Sequence, residues 1–353
     1  MKFGLFGSAQ AQRGGPDIDS SAGFRDFIDN NVEAEQLGFH SSFLVEHHFT
    51  GFGQVSATLN LLTWLGARTS TMRLGSAVIV LPWHNPVLLA EQAATIDLLS
   101  GGRLDFGIGK GYRFNEFAGF CIPMEEADAR FEEALTVMVK AWTSDSRWSH
   151  QGRYWRFDNV VVEPPTAQKP HPPLWMGAGS PASIDKVAER GHNLLLDQFA
   201  SIEQTAERIA IFKAAVEARG RRFDPMSVAV TRSVNVVESE AEKRQAVEAR
   251  MRSRRRAEQL AQRPDGQNKA SIMSYADTYE AAEAGAIYGM PDEVIAKIEA
   301  LHTAGAEYVL LNSPGGIKSL RRFAREVMPL FERRAPRYGQ GEKIAGEAPA
   351  AAK

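Results

Sequence analysis

The chain has 353 residues, of which 44% are hydrophobic and 24% charged, values typical of a globular enzyme with a substantial core. Its 41 basic and 43 acidic residues leave a net charge of −2, which argues against a nucleic-acid binder, because such binding needs an excess of Lys and Arg. With Cys121 as its single cysteine, the chain can form neither an internal disulfide nor a multi-cysteine metal site, and we expect no metal.

The N-terminal segment, Met1–Gly7, contains only a short apolar run. It lacks the long apolar core and small-residue cleavage site of a signal peptide. No stretch approaches the ~18 uninterrupted apolar residues that a membrane span needs. We therefore expect a cytoplasmic protein with no membrane partner.

Runs rich in β-branched and aromatic residues alternate with amphipathic stretches, a pattern typical of a parallel sheet covered by helices. Eight such runs are predicted strands: Lys2–Phe6, Ser42–Val45, Arg73–Ile79, Leu104–Ile108, Leu174–Gly177, Asn193–Leu196, Ser227–Val234 and Tyr308–Leu311. The segment after the first strand, Gly7–Gln12, lacks the glycine pattern of a dinucleotide-binding turn. Eight strands without that turn favour an α/β fold of the closed (β/α)8 TIM-barrel type over an open doubly wound sheet.

Caps and glycine stops predict the helices. Phe24–Leu37 and Ser56–Arg68 have helical periodicity. Pro86 and Pro291 each occupy a first helical turn, where a missing N–H has no cost, and Ser180 is a predicted N-cap.

Two long insertions interrupt the alternation of strands and helices. Between the fourth and fifth strands lie a helix, Glu125–Trp142, and an aromatic, proline-rich stretch, Trp148–Pro173. Between the seventh and eighth lies Glu238–Tyr288, and both insertions are candidates for covering the barrel mouth. We expect one domain over residues 1–334 and a disordered, low-complexity tail over 335–353.

Reacting groups of barrel enzymes lie at the C-terminal ends of the strands. The second strand ends in Glu46-His47-His48. Adjacent side chains on a strand point in opposite directions, so the two histidines are a poor chelating pair. One histidine directed into the mouth could exchange protons near neutral pH, while the other packs.

Two further strand ends could bind an anion. The fourth runs through Gly107-Ile108-Gly109-Lys110-Gly111, with exposed N–H groups and a cation. The fifth runs through Gly177-Ala178-Gly179 to a helix start at Ser180. Small residues at Ser76 and Ala77 would let a flat ring approach the backbone. Taken alone, the two strand ends could equally be an ordinary turn and an ordinary cap, and the small residues are better explained by a crowded barrel interior. Together they suggest a phosphorylated flat cofactor.

A run of arginines stands in the second insertion, at positions 250, 252, 254, 255 and 256. Such a run could reach an anionic ligand, but more often it is a solvated helix face. Trp148, Tyr154 and Trp155 could line a substrate cleft or simply pack on the barrel.

At these positions the sequence resembles the bacterial luciferase-like family of flavin-dependent monooxygenases, and especially the luciferase α subunit. The resemblance is carried by Val45–Gly53, Ser76–Pro82, Ser100–Gly107 and Tyr288–Val294. It extends from Met1 to about Arg333.

The resemblance implies that His47 is the catalytic histidine, beside the reacting part of the flavin. It assigns a wall of the isoalloxazine to Ala77 and Val78, and leaves open a non-proline cis peptide between them. It places Lys110 at the flavin phosphate, together with the helix-end residues Gly179, Ser180 and Ser183.

The function that the resemblance implies is a two-component monooxygenase. A separate NAD(P)H-dependent flavin reductase would supply reduced FMN, and the chain, as a homodimer, would oxygenate a small organic substrate with O2 through a flavin hydroperoxide. Two alternatives stay open: a deazaflavin-dependent hydride-transfer oxidoreductase and a non-catalytic flavin-binding protein.

Two residues depart from the luciferase α subunit. Gly109 stands where that subunit has a reactive cysteine, so a roomier cavity is expected and light emission from a long-chain aldehyde is not. Lys110 replaces an arginine, which exchanges bidentate phosphate contact for a single point charge.

Overall fold

The computed structural model describes residues 1–266 and 276–331. Its strands are β1 (Lys2–Gly7), β2 (Ser41–Leu44), β3 (Arg73–Ser76), β4 (Ile79–Val80), β5 (Leu104–Gly109), β6 (Trp148–Gln151), β7 (Arg156–Val160), β8 (Leu174–Gly177), β9 (Asn193–Leu196), β10 (Val228–Val236), β11 (Ala286–Gly289) and β12 (Tyr308–Asn312). Its helices are α1 (Ala22–Gln36), α2 (Thr58–Arg68), α3 (Pro86–Leu99), α4 (Phe114–Gly119), α5 (Ala127–Thr143), α6 (Pro181–Glu189), α7 (Ile202–Glu217), α8 (Glu240–Ala261), α9 (Tyr279–Ala284), α10 (Pro291–Thr303) and α11 (Gly316–Glu326).

Eight parallel strands close into a barrel in the order β1, β2, β3, β5, β8, β9, β10 and β12, and β12 pairs with β1 to complete the ring. The predicted (β/α)8 barrel is confirmed, with strand bounds within two residues for seven of the eight strands. Large side chains, including Phe43, Trp175 and Tyr308, fill the interior. Gly75 makes room for them, because a Cβ there would lie 2.3 Å from the Phe43 ring. The crowded interior therefore explains why position 75 is a glycine.

The predicted helix starts follow the local sequence. The side chain of Asn85 accepts hydrogen bonds from the N–H groups of Val87 (3.1 Å) and Leu88 (3.2 Å), and Pro86 opens α3. Ser180 caps α6, and Pro291 opens α10. Each cap satisfies N–H groups that have no partner within the helix.

Three features differ from the sequence prediction. The predicted strand Arg73–Ile79 is two strands, β3 and β4, separated by a cis peptide between Ala77 and Val78. An antiparallel hairpin, β6–β7, forms within Trp148–Pro173. A further strand, β11, pairs with the C-terminal half of β10 outside the ring of eight. These elements are short, and a two- to five-residue strand leaves little periodicity to read.

Across residues 1–266 and 276–331, no helix is both long enough and apolar enough to cross a bilayer. The predicted tail, the domain boundary at 334 and a part of the second insertion, 267–275, lie outside the described residues.

Candidate active site

A cavity of about 1590 Å³ opens at the C-terminal ends of the barrel strands. Pockets for one small ligand commonly measure ~300–1,000 Å³, so this volume accommodates a cofactor and a second molecule. Its lining includes the seven residues to which the resemblance assigned site roles: His47, Ala77, Val78, Lys110, Gly179, Ser180 and Ser183.

His47 follows the end of β2 and meets a carboxylate that the sequence analysis missed. Its Nδ1 lies 3.0 Å from Oε1 of Glu116, a residue of α4 whose side chain is 2% exposed. The same oxygen accepts the backbone N–H of His48 at 2.9 Å. A carboxylate can only accept here, so Nδ1 of His47 carries the hydrogen and Nε2 is left as the basic nitrogen.

Burial lowers the pKa of His47 below its ordinary value, and the hydrogen bond that its Nδ1–H donates to Glu116 opposes this effect without reversing it. The imidazole is therefore neutral at neutral pH. A neutral ring with Nδ1–H held by Glu116 can take a proton at Nε2, which is the arrangement of a general base.

Glu46 is a second buried carboxylate and organises the other two histidines of the region. Its Oε1 accepts hydrogen bonds from Nε2 of His48 (3.1 Å) and Nε2 of His84 (2.7 Å), and its Oε2 accepts the Val80 N–H (2.6 Å). Burial acts to raise the pKa of Glu46, but the hydrogen bonds from His48 and His84 outweigh it and leave the pKa below its ordinary value. The carboxylate of Glu46, which follows β2, thus connects this segment to β4 by hydrogen bonds.

His48 packs among aromatic rings. Its ring centroid lies 4.7 Å from that of Phe120, 5.4 Å from that of Trp83 and 5.8 Å from that of Phe49. The two adjacent histidines therefore have different surroundings, and His47 is the one on the cavity wall.

Ala77 and Val78 form an apolar wall next to the barrel interior, on either side of the cis peptide. Ser76 is fully buried, and its Oγ hydrogen-bonds to both backbone groups of Gly107 (2.8 and 2.9 Å). Ser76 therefore cannot border a ring in the cavity.

The expected extra room at Gly109 is absent. A Cβ there would lie 2.5 Å from Cγ2 of Val78, so the valine already occupies the space that the glycine leaves. This corrects the expectation of a roomier cavity at this position, because the neighbouring strand compensates for the missing side chain.

Ser180 and Ser183 form a reciprocal capping box at the start of α6: Ser180 Oγ accepts the N–H of Ser183, and Ser183 Oγ accepts that of Ser180. Pro181 contributes no N–H. The ordinary-cap interpretation therefore holds, and the same two hydroxyl groups also line the cavity.

Lys110 lies at the cavity rim with its side chain 43% exposed, and forms an ion pair with Asp128. The carboxylate competes with any phosphate for this cation. A second cation lies close to the helix start: a Cβ at Gly179 would lie 3.3 Å from Nη2 of Arg208. Arg208 is held by Asp197 at 2.7 Å.

The cavity is covered by one of the two insertions. Helix α8 lines it and contacts α4. The β6–β7 hairpin packs instead on α5, where Glu133 accepts the N–H groups of Tyr154 (3.0 Å) and Trp155 (2.9 Å). No described residue of Trp148–Pro173 lines the cavity, so the expected cover from this insertion is not found.

The arginine run on α8 divides by environment. Arg250 is buried and donates to the carbonyl groups of Gln198 (2.8 Å) and Ala282 (3.1 Å), so it joins α8 to its neighbours. Arg254 is also buried, while Arg252, Arg255 and Arg256 are exposed. All five line the cavity, so the three exposed arginines belong to its wall and not to a separate solvated face.

The lining fits a phosphorylated flat ring. Arg208 supplies a guanidinium beside the start of α6, and the apolar wall at Ala77 and Val78 meets the chemistry of a ring. The Ser180 hydroxyl donates to Ser183 Oγ and the Ser183 hydroxyl to the Ser180 carbonyl group, so both lie at the cavity wall within the cap. A Cβ at Gly177 would meet no atom within 4 Å, so the end of β8 leaves open space between these two parts.

Three relatives of this chain are named for the use of a flavin or of F420. The oxygenase component of the flavin-dependent trigonelline monooxygenase of Acinetobacter baylyi is 26% identical over 317 residues, 84% of this chain and 87% of that protein. The FMNH2-dependent dimethylsulfone monooxygenase of Pseudomonas putida is 27% identical over 335 residues, 87% and 90% of the two chains. The F420-dependent glucose-6-phosphate dehydrogenase of Kineococcus radiotolerans is 25% identical over 311 residues, 85% and 91%.

Among solved structures, monooxygenase RslO1 from Streptomyces bottropensis superposes with a TM-score of 0.78 at 28% identity, over 94% of this chain and 100% of that chain. A sequence model of the family described as luciferase-like monooxygenase matches residues 1–308. The match covers most of the chain and includes seven of the eight barrel strands, from β1 to β10. The chain is a member of the luciferase-like monooxygenase family.

Proposed function

We propose that this chain is the oxygenase component of a two-component FMN-dependent monooxygenase, which uses reduced FMN and O2 to oxygenate a small organic substrate. The observation that carries the proposal is a neutral His47, oriented by Glu116, on the wall of a cavity large enough for cofactor and substrate. Family membership and the two flavin-dependent relatives support it.

In this proposal Ser180, Ser183 and Arg208 bind the phosphate, and Ala77 and Val78 border the ring. Lys110 contributes a weaker, rim-located charge, because Asp128 shares it. Bound reduced FMN supplies the activation of O2. His47 takes or returns a proton at Nε2, and α8 excludes water from the barrel mouth.

The proposal includes two protein partners. A separate NAD(P)H-dependent reductase supplies reduced FMN, as the word component in one relative's name supports. A homodimer is supported by exposed apolar side chains on neighbouring helices, including Trp64 (60% exposed) on α2 and Leu99 (70% exposed) on α3.

The proposed activity is tested by supplying chemically or enzymatically reduced FMN, isotopically labelled O2 and a panel of sulfonates, carboxylates, ketones and aldehydes. We expect label from O2 in one product, and tighter binding of reduced than of oxidised FMN. The same panel with reduced F420 under anaerobic conditions tests hydride transfer, which the relationship to an F420-dependent enzyme favours as the second candidate.

Substrate reduction or oxidation with F420, and no labelled product with FMN, would replace the proposal by the deazaflavin alternative. Flavin binding without either reaction would identify a non-catalytic flavin-binding protein.

Replacing Ser180 with aspartate should weaken FMN binding by about tenfold or more, since like charges ~4 Å apart near a protein surface repel by roughly 1–4 kcal/mol. Aspartate is as good an N-cap as serine, so α6 should remain folded. Fluorescence titration with FMN and with riboflavin measures the effect.

Ser180→Asn is the matched control, because it keeps the cap and adds no charge. Riboflavin, which has no phosphate, should bind all three proteins alike. Equal FMN affinity in Ser180→Asp and Ser180→Asn would place the phosphate away from α6.

A further inference from the structure

Arg113 is a buried cation on the cavity wall whose donors are not all used. It lies at the start of α4 with its side chain 7% exposed. Within the described residues, neither Nε nor Nη1 has a hydrogen-bond partner. Burying unused donors of a charged group is costly, so a ligand acceptor at this position would stabilise the site.

The neighbouring carboxylate does not use these donors. Nη1 of Arg113 lies 3.9 Å from Oε1 of Glu116, which is an ion-pair distance and too long for a hydrogen bond. That oxygen already accepts from His47 and from the N–H of His48. Glu116 therefore balances the charge of Arg113 from a distance and leaves its N–H groups available.

The guanidinium is also positioned by the ring of Tyr112, whose centroid lies 5.7 Å from Cζ of Arg113. The N–H groups of a guanidinium lie in its plane, which is the geometry by which arginine binds oxyanions. Arg113, Tyr112 and His47 all line the same cavity.

The charge of the cavity favours an anion. Ten basic and five acidic side chains line it, although the whole chain carries a net charge of −2. The arginine-bearing helix α8 contacts α4, at whose start Arg113 lies. The two buried carboxylates beside His47 and His48 act against an anion, and the excess of basic side chains along the cavity outweighs them.

We infer that the substrate carries a small oxyanionic group, a carboxylate or sulfonate, which the guanidinium of Arg113 binds in the cavity beside His47. The bound anion is the substrate only if the proposed monooxygenase function holds, so the inference rests on that function. The anion binds at the α4 end of the cavity, and the phosphate of the cofactor binds at α6.

The test is a binding titration of the FMN-loaded protein, which requires no turnover. The probes are two pairs matched in shape, acetate with acetamide and benzoate with benzamide. Calorimetry and the flavin absorbance measure their binding. We expect the carboxylates to bind more tightly than the amides. In Arg113→Gln the carboxylate affinity should fall by about 10- to 100-fold, as for loss of a charged hydrogen bond, with amide and FMN affinities within about twofold.

The matched control is Arg252→Gln, which removes one exposed positive charge from the same cavity and should weaken benzoate by less than about threefold. If Arg113→Gln fails to fold, Arg113→Lys keeps the charge without the planar fork, and a reduced preference for benzoate over benzamide is expected.

Three results would overturn the inference. The first is that both members of each pair bind equally or do not bind, and the second is that the carboxylate preference is unchanged in the Arg113 variants. The third is a lower FMN affinity with an unchanged benzoate affinity, which would assign the guanidinium to the cofactor. Full-rate oxygenation of a neutral substrate by Arg113→Gln would also overturn it and leave the proposed function standing. If carboxylates bound as expected but no substrate were oxygenated, the proposed function would be wrong and the anion site at Arg113 would stand.

Discussion

Replacing His47 with alanine should slow turnover by on the order of 10²-fold or more, the usual contribution of a general acid or base. The fold and the FMN affinity should remain nearly intact, because the ring packs at the cavity wall and its hydrogen bond goes to Glu116, which keeps the His48 N–H as a partner. Steady-state product formation and single-turnover reoxidation of the flavin measure the effect.

His48→Ala is the matched control, since it removes the adjacent imidazole from an aromatic cluster and not from the cavity wall. It should lower stability more than it lowers turnover. If His48→Ala abolished turnover and His47→Ala did not, the assignment of the proton transfer to His47 would be wrong, and His48 would carry it. If neither variant changed any step, the non-catalytic binder would be favoured.

Glu46→Ala should lower the free energy of unfolding by roughly 3 kcal/mol or more, because three buried donors lose a charged acceptor at about 1–3 kcal/mol each. The glutamate side chain is 1% exposed and accepts three hydrogen bonds, so its loss leaves His48, His84 and the Val80 N–H without their acceptor. Denaturant unfolding followed by circular dichroism gives the value.

Glu132→Ala provides the comparison, because it also breaks an ion pair, with Arg190, but at a half-exposed position where about 1 kcal/mol or less is expected. If both variants lost the same free energy of unfolding, burial of Glu46 would add nothing to its contribution to stability.

The stabilisation by Glu46 should depend on pH with a defined sign. Its pKa in the folded protein is lowered from the ordinary 4.5, so the folded state favours the charged form. The contribution is complete above that ordinary value and is lost as the pH falls through the lowered folded value. The difference between the wild type and Glu46→Ala should therefore shrink below about pH 4.5.

The barrel and the position of its active end could be predicted from the sequence alone. Runs such as Leu174–Gly177 and Asn193–Leu196 form strands over the predicted residues, because a short apolar run bounded by turn residues is a local signal. The caps at Asn85 and Ser180 act within four residues of chain. Once the strands are parallel, their C-terminal ends meet at one mouth, which places the residues after every strand in one cavity.

Only the tertiary structure decided which groups meet there. Glu116 lies 69 positions from its partner His47, and Glu46 lies 38 positions from His84, so no local pattern connects them. Asp128 reaches Lys110 because α5 passes the end of β5, and Val78 fills the space beside Gly109 because β4 pairs with β5. Burial gives these contacts their effect: it lowers the pKa of His47, and it leaves Nε and Nη1 of Arg113 without a partner among the described residues. Burial arises only when helices pack over the strands.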